Sequence, residues 1–448
     1  MYRFLFLEVY MLSLFPLLLL TMGAFSLVRY RKHLLVPKRL FFPLCKADKT
    51  EKRKTGKTLL LALSGTLGVG NITGVATALL LGGAGSVFWM VLSTIFSVAL
   101  KYSEATLSTK CGEGGGMAGV LKNTYRGKIG EVLSVLYAIA FLALALILGG
   151  AVQGNAIVEN ATVNFPLKKG LLILVLVALL SIAFFGKTER ILNILSFTLP
   201  IATVLYFAMC SYILFTHFTL LSGVLNKILK EAFQGVRPTL AGILGTFTKN
   251  AVREGFFAGL LSNEAGAGTS AMAHSKNGNV ECSGAVGVLE VLFDTTFFCS
   301  ISAITFLLTD GVNGAKNAGE VLYQTFFPSF GTYYIFPLFF SVFFLAISSV
   351  LCYFIYAGRM LSFLRLEKIS ALLPFFFLAF VALGGIVEST PLVVLSHGVL
   401  SVLSVLTSLA ILGSFVDEKR KANGSLSKNR KRNNRLLFIK LFKNGKNC

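Results

Sequence analysis

Two long apolar segments of this chain are each interrupted by a short, polar, glycine-rich stretch. The first stretch is residues 64–74 (SGTLGVGNITG), inside an apolar run from Leu59 to Gly83, and the second is residues 262–270 (SNEAGAGTS). Inside a bilayer an unpaired backbone N–H or C=O is costly, so irregular backbone persists only where protein buries it or a wet cavity meets it. One such break in each half of a polytopic chain indicates the binding site of a secondary transporter.

The composition is that of an integral membrane protein. Of the 448 residues, 55% are hydrophobic and only 14% are charged, whereas a soluble domain has about 25% charged residues. Apolar runs of roughly 18–25 residues predict eleven transmembrane helices. The predicted spans are 4–28, 58–82, 84–108, 129–155, 170–186, 190–216, 240–273, 283–309, 332–364, 370–387 and 391–416.

The net charge of +22 is distributed unevenly along the chain. If the N-terminus lies outside the cell, 32 of the 42 Lys and Arg residues fall in cytoplasmic loops or in the basic tail, and 7 fall on the opposite side. This asymmetry follows the positive-inside rule and predicts a cytoplasmic C-terminus in the plasma or inner membrane. The charge therefore reports topology and implies no nucleic-acid partner. Only Arg3 precedes the first apolar run, whereas Arg29, Arg31, Lys32 and Lys38 follow it, which predicts a retained helix and not a signal peptide.

No motif for catalysis or for a cofactor is present in the sequence. The seven cysteines form no CxxC pair, the four histidines are not grouped, and there is no P-loop or Ser/His/Asp set. We therefore expect neither an enzyme nor a bound cofactor.

The spans after the first helix divide into five plus five, and each set of five begins with a broken helix. Five spans per half place the second half upside down relative to the first, as in many transporters. We predict an all-α polytopic membrane protein with a 5+5 inverted repeat preceded by one extra helix. The predicted segments are an N-terminal helix at 1–28, a basic cytoplasmic loop at 29–57, a first repeat at 58–217, an external loop at 218–239, a second repeat at 240–416 and a basic cytoplasmic tail at 417–448.

The first break has the chemistry of a binding site. Its glycines let the chain leave helical geometry without a steric penalty. An unwound helix exposes N–H groups that suit a carboxylate and carbonyl groups that suit a small cation. Thr66, Asn71 and Thr73 can add side-chain oxygens. The alternative is a helix-packing face of the small-xxx-small kind, formed by Gly70 and Gly74.

Several charged residues lie within predicted spans. Glu264, in the second break, could neutralise a substrate ammonium, assist a cation or cap the broken helix. Glu290 and Asp294 lie one turn apart, where two like charges would form a proton-sensitive pair. Alternatively, Asp294 hydrogen-bonds the neighbouring broken helix. Lys101 and Glu104 are predicted to form a structural i,i+3 pair at the cytoplasmic end of the third span.

Two further pairs of polar residues occupy apolar surroundings. Gln153 and Asn155 are predicted at the outer end of the fourth span, where they either line the pocket or meet the membrane interface. Ser348 and Ser349 offer adjacent hydroxyls in the middle of a span, and serines in membrane helices also bond back to the preceding turn.

These segments together resemble the alanine or glycine:cation symporter family, also called the sodium:alanine symporter family. The chain departs from the family pattern at Val69, where Thr is usual, at Tyr353, where Trp is usual, and at Glu290, where a small or apolar residue is expected. The matching strings are GTLGVGNITGVATA at 65–78, GGAGSVFWM at 82–90 and GLLSNEAG at 259–266 followed by Ala273-His274, with weaker matches at Gln153-Gly154-Asn155, Asp294-Thr295 with Cys299, and Ser348-Ser349 with Tyr356 and Arg359.

The resemblance implies a leucine-transporter-like core and sodium-driven uptake of alanine or glycine, including D-alanine, from outside the cell. A proton-coupled carrier of the same fold is the main alternative, and a channel or receptor is a more distant one. The expected partners are the amino acid, sodium and the lipid bilayer, and the oligomeric state is not predicted. The resemblance implies substrate contacts from Gly68, Val69, Gly70, Asn71, Thr73, Gln153, Asn263 and Tyr353, sodium contacts from Thr66, Leu67, Ser348 and Ser349, and structural or coupling roles for Glu264, Asp294 and Glu290.

Overall fold

The computed structural model is a helical protein. It describes residues 2–125, 127–165, 167–186, 188–234, 250–276 and 278–444, and no strand occurs among them. The predicted all-α class is confirmed. The α-helices are α1 (Tyr2–Leu34), α2 (Pro37–Lys46), α3 (Lys49–Thr66), α4 (Val75–Gly82), α5 (Gly85–Cys111), α6 (Met117–Tyr125), α7 (Gly127–Leu146), α8 (Gln153–Asn164), α9 (Lys169–Phe184), α10 (Thr188–Thr216), α11 (Leu221–Phe233), α12 (Asn250–Ser262), α13 (Thr269–His274), α14 (Val280–Val291), α15 (Ser300–Leu308), α16 (Ala318–Phe330), α17 (Ile335–Phe363), α18 (Glu367–Ser370), α19 (Leu373–Ile386) and α20 (Ser389–Asn444).

Three π-helical segments occur among these helices, and two of them continue the helices on both sides without a break. They are π1 (Gly70–Gly74), π2 (Ile147–Val152) and π3 (Leu292–Cys299). Segments of this kind are rare and frequently lie at functional sites.

The helices include several that are long enough to cross a membrane. Within the described ranges, six helical stretches have the length and composition of a span, and α3 with α4 forms a seventh that is bent by 52°. The prediction of a polytopic membrane protein is confirmed, whereas eleven spans and the inverted repeat stay predictions. Residues 235–249, which include the end of the predicted external loop and the start of the predicted span at 240–273, lie outside the described residues.

The fourth predicted span is longer than the sequence suggested. α7, π2 and α8 follow one another without a loop from Gly127 to Asn164. The prediction that Gln153 and Asn155 lie at its outer end is therefore wrong, and both side chains are buried. The apolar pattern stops at these residues because their polar groups are used inside the protein: Asn155 Nδ2 donates to the carbonyls of Gly384 and Val387 near the end of α19, at 3.1 and 2.9 Å.

α5 is the centre of a closely packed group of helices. α12 contacts it through Gly255 and Gly259, and α14 through Gly284 and Gly287. A Cβ at any of these four positions would collide with α5, so the small residues permit the close approach. The second break, which begins where α12 ends, is thereby held against α5.

Candidate functional site

The first break is a real interruption of the helix, as the sequence predicted. Residues 67–69 separate α3 from π1. Gly68 N donates to Thr66 O at 2.8 Å, and the carbonyl of Val69 already accepts two backbone N–H groups at 3.0 and 2.9 Å. The carbonyl oxygen of Leu67, in this described segment, receives no backbone hydrogen bond. It is available to a ligand.

Side chains from α8 and α17 meet at the backbone of Gly68. A Cβ there would lie 3.0 Å from Ser349 Oγ and 3.3 Å from Gln153 Nε2. Among the described residues, Gln153 makes one long bond, to Leu148 O at 3.4 Å, and its buried Oε1 has no partner there. The Gln153 amide is therefore close to the break and has hydrogen-bonding capacity left.

The two adjacent serines of α17 face different neighbours. Ser349 Oγ donates to Ser64 O at 3.1 Å, so it contacts α3 directly before the break. Ser348 Oγ lies 2.9 Å from Thr198 Oγ1 on α10. Sequence reasoning missed Thr198, because a single threonine in an apolar helix gives no signal.

Thr66 and Thr73 use their hydroxyls within their own helical segments. Thr66 Oγ1 donates to Ala62 O at 3.4 Å, and Thr73 Oγ1 donates to Val69 O at 3.0 Å. Bonds of this kind to the preceding turn are common for threonine in membrane helices. The side chain of Val69 is buried.

Asp294 joins the two helix breaks. Its Oδ1 accepts from Asn71 Nδ2 in π1 at 2.5 Å. Its Oδ2 accepts from Ser262 Oγ at the end of α12, at 2.6 Å, and from Thr295 Oγ1 at 2.8 Å. We call Asn71, Ser262 and Asp294 the junction. Ser262 was not among the predicted site residues, although it begins the second polar stretch.

The second break follows a left-handed path. Glu264 has φ +53°, Gly266 +88° and Gly268 +79°. Left-handed backbone at a residue other than glycine is strained, and such strain persists mainly at functional sites. Tyr353 Oη donates to Glu264 Oε1 at 2.5 Å, and Glu104 Oε1 accepts from Gly266 N at 2.7 Å. Side chains of α5 and α17 therefore hold this break.

The amide of Asn263 is occupied by protein groups. Nδ2 donates to Gly259 O at 2.6 Å and to Thr295 Oγ1 at 3.0 Å, and Oδ1 accepts from Ala265 N at 3.0 Å. In this structure Asn263 stabilises the end of α12.

A buried ion pair lies behind the second break. Lys101 Nζ is 2.7 Å from Glu290 Oε1, and the two side chains are 0% and 1% exposed. Lys101 also donates to Thr269 Oγ1 at 3.1 Å, and Ser270 Oγ donates to Glu290 Oε2 at 3.0 Å. The pair thus connects α5 and α14 to the first turn of α13.

Two predicted pairings of charged residues are wrong. Lys101 pairs with Glu290 and not with Glu104, and Glu104 caps the second break instead. Glu290 and Asp294 do not share a site, since each has its own partners. Both predictions considered neighbours along one helix, whereas close packing around α5 brings residues of different helices nearer.

One face of α17 is bonded to the segments on both sides of the breaks. Besides Ser349 and Tyr353, Arg359 donates from Nη1 to Met272 O at 2.8 Å and to Ala273 O at 2.9 Å. Ser349 and Tyr353 are about one turn apart, whereas Arg359, six positions further, lies about 120° around the helix axis, so the three side chains span a broad side of α17. α17 is therefore hydrogen-bonded to α3, to the second break and to α13.

The sequence is similar to those of known transport proteins. A model described as the sodium:alanine symporter family matches residues 6–435. The chain is 28% identical to a protein of Bacillus sp. (strain PS3) named sodium/proton-dependent alanine carrier protein, over 70% of this chain and 74% of that protein. It is 31% identical to a Bacillus subtilis protein named probable sodium/glutamine symporter, over 59% and 55% of the two chains. A solved structure of a Na⁺-coupled sialic acid symporter, in a substrate-bound outward-open state, aligns with 93% of this chain and 83% of its own, at a TM-score of 0.46 and 12% identity.

Proposed function

Because this chain belongs to the sodium:alanine symporter family, we propose that it carries a small neutral amino acid into the cell together with sodium. The family and these relatives are transporters, so the chain is a membrane transporter and not an enzyme. The observation that carries the proposal is the meeting of the two breaks at Asp294, while the first break also lies against Gln153.

The amino acid is proposed to bind along the first break. Backbone N–H groups at the start of a half-helix suit its carboxylate. The unfilled hydrogen-bonding capacity of Gln153 supports a direct contact. Gly68 is crowded by two polar side chains, which favours a small substrate such as alanine or glycine.

Sodium is proposed to bind on the α17 side of the first break. The carbonyl oxygen of Leu67 lacks a backbone partner there, and Ser349 Oγ lies against the same segment. Ser348 and the carbonyl of Thr66 complete the proposed ligands. Sodium prefers oxygen ligands of this kind. It must also favour the conformation that binds the amino acid, because otherwise its gradient could not drive uptake.

Inward release is proposed to require opening of the α17 face. In the predicted topology this face belongs to the cytoplasmic half, because Arg359 lies near the cytoplasmic end of the predicted span 332–364. The bonds of Arg359 to Met272 and Ala273, and of Tyr353 to Glu264, would then be the contacts that break during alternating access.

Uptake into proteoliposomes tests the proposal. Labelled alanine, glycine and glutamine would be offered with an inward sodium gradient, and then with a proton gradient alone. We expect sodium-dependent accumulation of alanine or glycine. Accumulation with protons alone would favour the second candidate, a proton-coupled carrier, for which the buried Glu264 provides a carboxyl group in the second break. No uptake under either gradient would refute the substrate assignment.

Two variants locate the proposed sites. Asn71→Leu should abolish uptake while leaving membrane insertion intact, because it removes the contact of the first break with Asp294. Ser349→Ala should raise the sodium concentration needed for half-maximal uptake. Wild-type uptake by the first variant, or wild-type sodium dependence in the second, would contradict these placements.

A further inference from the structure

We propose that the short helix α2 (Pro37–Lys46) lies on the membrane surface and that its outer side binds anionic phospholipid headgroups of the cytoplasmic leaflet. The inference goes beyond the proposed function, because it concerns the lipid around the protein and not the solutes that it carries. It involves no residue of the two helix breaks.

The depth of α2 in the membrane is set by the contacts of its inner side. Leu40 is 5% exposed and packs in one cluster with Tyr102 of α5 and with Ala285 and Val288 of α14. Each of these three partners lies more than one helical turn inside its own helix. Both helices belong to stretches that are long and apolar enough to cross a membrane. A helix packed against the flanks of two such stretches lies at the membrane interface and not away from it.

The outer side of α2 combines apolar and basic groups. Phe42 is 45% exposed, and Leu35 and Val36, which directly precede the helix, are 68% and 39% exposed. Lys46 Nζ lies 4.7 Å from the centre of the Phe42 ring, so an ammonium group and an aromatic ring share this side. At the interface such apolar side chains are covered by acyl chains, while long basic side chains keep their charge among the headgroups.

The charge of this segment selects an anionic headgroup. Between residues 30 and 47 the sequence contains no Asp or Glu. Its five basic residues are all exposed, and none of them takes part in an ion pair among the described residues. They are Arg31, Lys32, Lys38, Arg39 and Lys46. Basic clusters directly cytoplasmic of a transmembrane helix attract anionic lipids. A dissolved phosphate ion would match the charge but would leave the apolar side chains in water, so the surface fits a lipid.

Melting of the purified full-length protein in micelles of a neutral detergent tests the proposal. Phosphatidylglycerol would be added to the micelles in one series, and phosphatidylcholine, which has no net charge, in another. A ligand that binds only the folded protein raises the melting temperature.

The test variant is Lys38→Gln combined with Lys46→Gln, which removes two charges from the exposed side of α2. The matched control is Lys227→Gln combined with Lys230→Gln. These two lysines are also exposed, and they lie on α11, a helix of the predicted external loop that likewise exposes apolar side chains.

We expect phosphatidylglycerol to stabilise the wild type and the control more strongly than phosphatidylcholine does. The α2 variant should need about 25-fold more phosphatidylglycerol for the same rise in melting temperature, because each basic residue at an anionic surface contributes about fivefold to binding. Added salt should reduce the difference between the two lipids, since it screens exposed charges.

Other results would overturn the proposal. If the two lipids stabilise the wild type equally, or if the α2 variant responds as the control does, anionic lipid does not bind through α2. If both double variants lose the response to the same extent, the lipid recognises only the total charge of the protein. If dissolved inorganic phosphate stabilises the wild type and removes the effect of phosphatidylglycerol, the ligand is a phosphate ion and not a lipid. None of these results bears on sodium-coupled uptake, which the proteoliposome assay tests separately.

Discussion

Replacing Lys101 by Met leaves the carboxylate of Glu290 buried without its counter-charge. The pair is 2.7 Å apart and almost fully excluded from solvent. Removing one partner of such a pair costs about 3–5 kcal/mol, mainly because the remaining charge is stranded. We therefore expect Lys101→Met and Glu290→Leu each to lower the free energy of unfolding by this amount.

The double variant should be more stable than either single variant. Among the described hydrogen bonds, removing both charges leaves the hydroxyls of Thr269 and Ser270 without their present partners, at a cost of about 1–2 kcal/mol. If the two substitutions acted independently, their costs would add to about 6–10 kcal/mol. The difference between these figures makes the experiment decisive.

The chain contains a reporter for this measurement. Trp89 is its one tryptophan and lies on α5, the helix that carries Lys101. Its fluorescence would follow unfolding by denaturant in mixed micelles. Lys110→Met is the matched control, because its pair with Glu418 is 2.6 Å long but the lysine side chain is 62% exposed; it should cost less than about 1 kcal/mol. A double variant as unstable as the sum of the single ones would refute the reasoning.

Three further substitutions separate the site from the scaffold. Gly68→Ala should reduce uptake at least about tenfold by placing a Cβ against the side chains that crowd the break, whereas Gly74→Ala, which meets no atom within 4 Å, should retain wild-type uptake. Asn155→Ala should lower the thermal stability of the purified protein by removing two bonds to α19, without changing the sodium concentration for half-maximal uptake. Tyr353→Phe should slow uptake while preserving membrane insertion, because Glu264 loses a donor; unchanged uptake would show that this bond is not part of the transport cycle.

The sequence predicts the breaks well because hydrocarbon penalises any irregular backbone. Both polar stretches are interruptions of helices. Asn71 was expected to be a site residue of the first break, and it lies there in π1. Because of this penalty, a break is marked by polar and glycine residues within an apolar run, and these are visible in the local sequence. Gln153 was also expected near the first break, from the family resemblance, and it does lie there.

The partners of the charged residues could not be predicted in the same way. Lys101 and Glu290 are 189 positions apart, and Asn71 and Asp294 are 223 apart. Their contacts depend on how closely α12 and α14 approach α5. That distance is set by glycines such as Gly259 and Gly287, whose role appears only once the helices are packed. The helical periodicity of one segment contains no such information.

The π segments make this site sensitive to the length of the chain. π1 contains Asn71, π3 contains Asp294, and π2 ends immediately before Gln153. A π turn accommodates one more residue than an α turn, so deleting a single residue there could restore an ordinary helix without breaking it. The two flanking parts of the helix would then turn by about 100° relative to each other, the angle that one residue occupies in an α-helix. An in-frame loss of one codon would thus redirect a binding residue and also turn the packing face of one flanking helix.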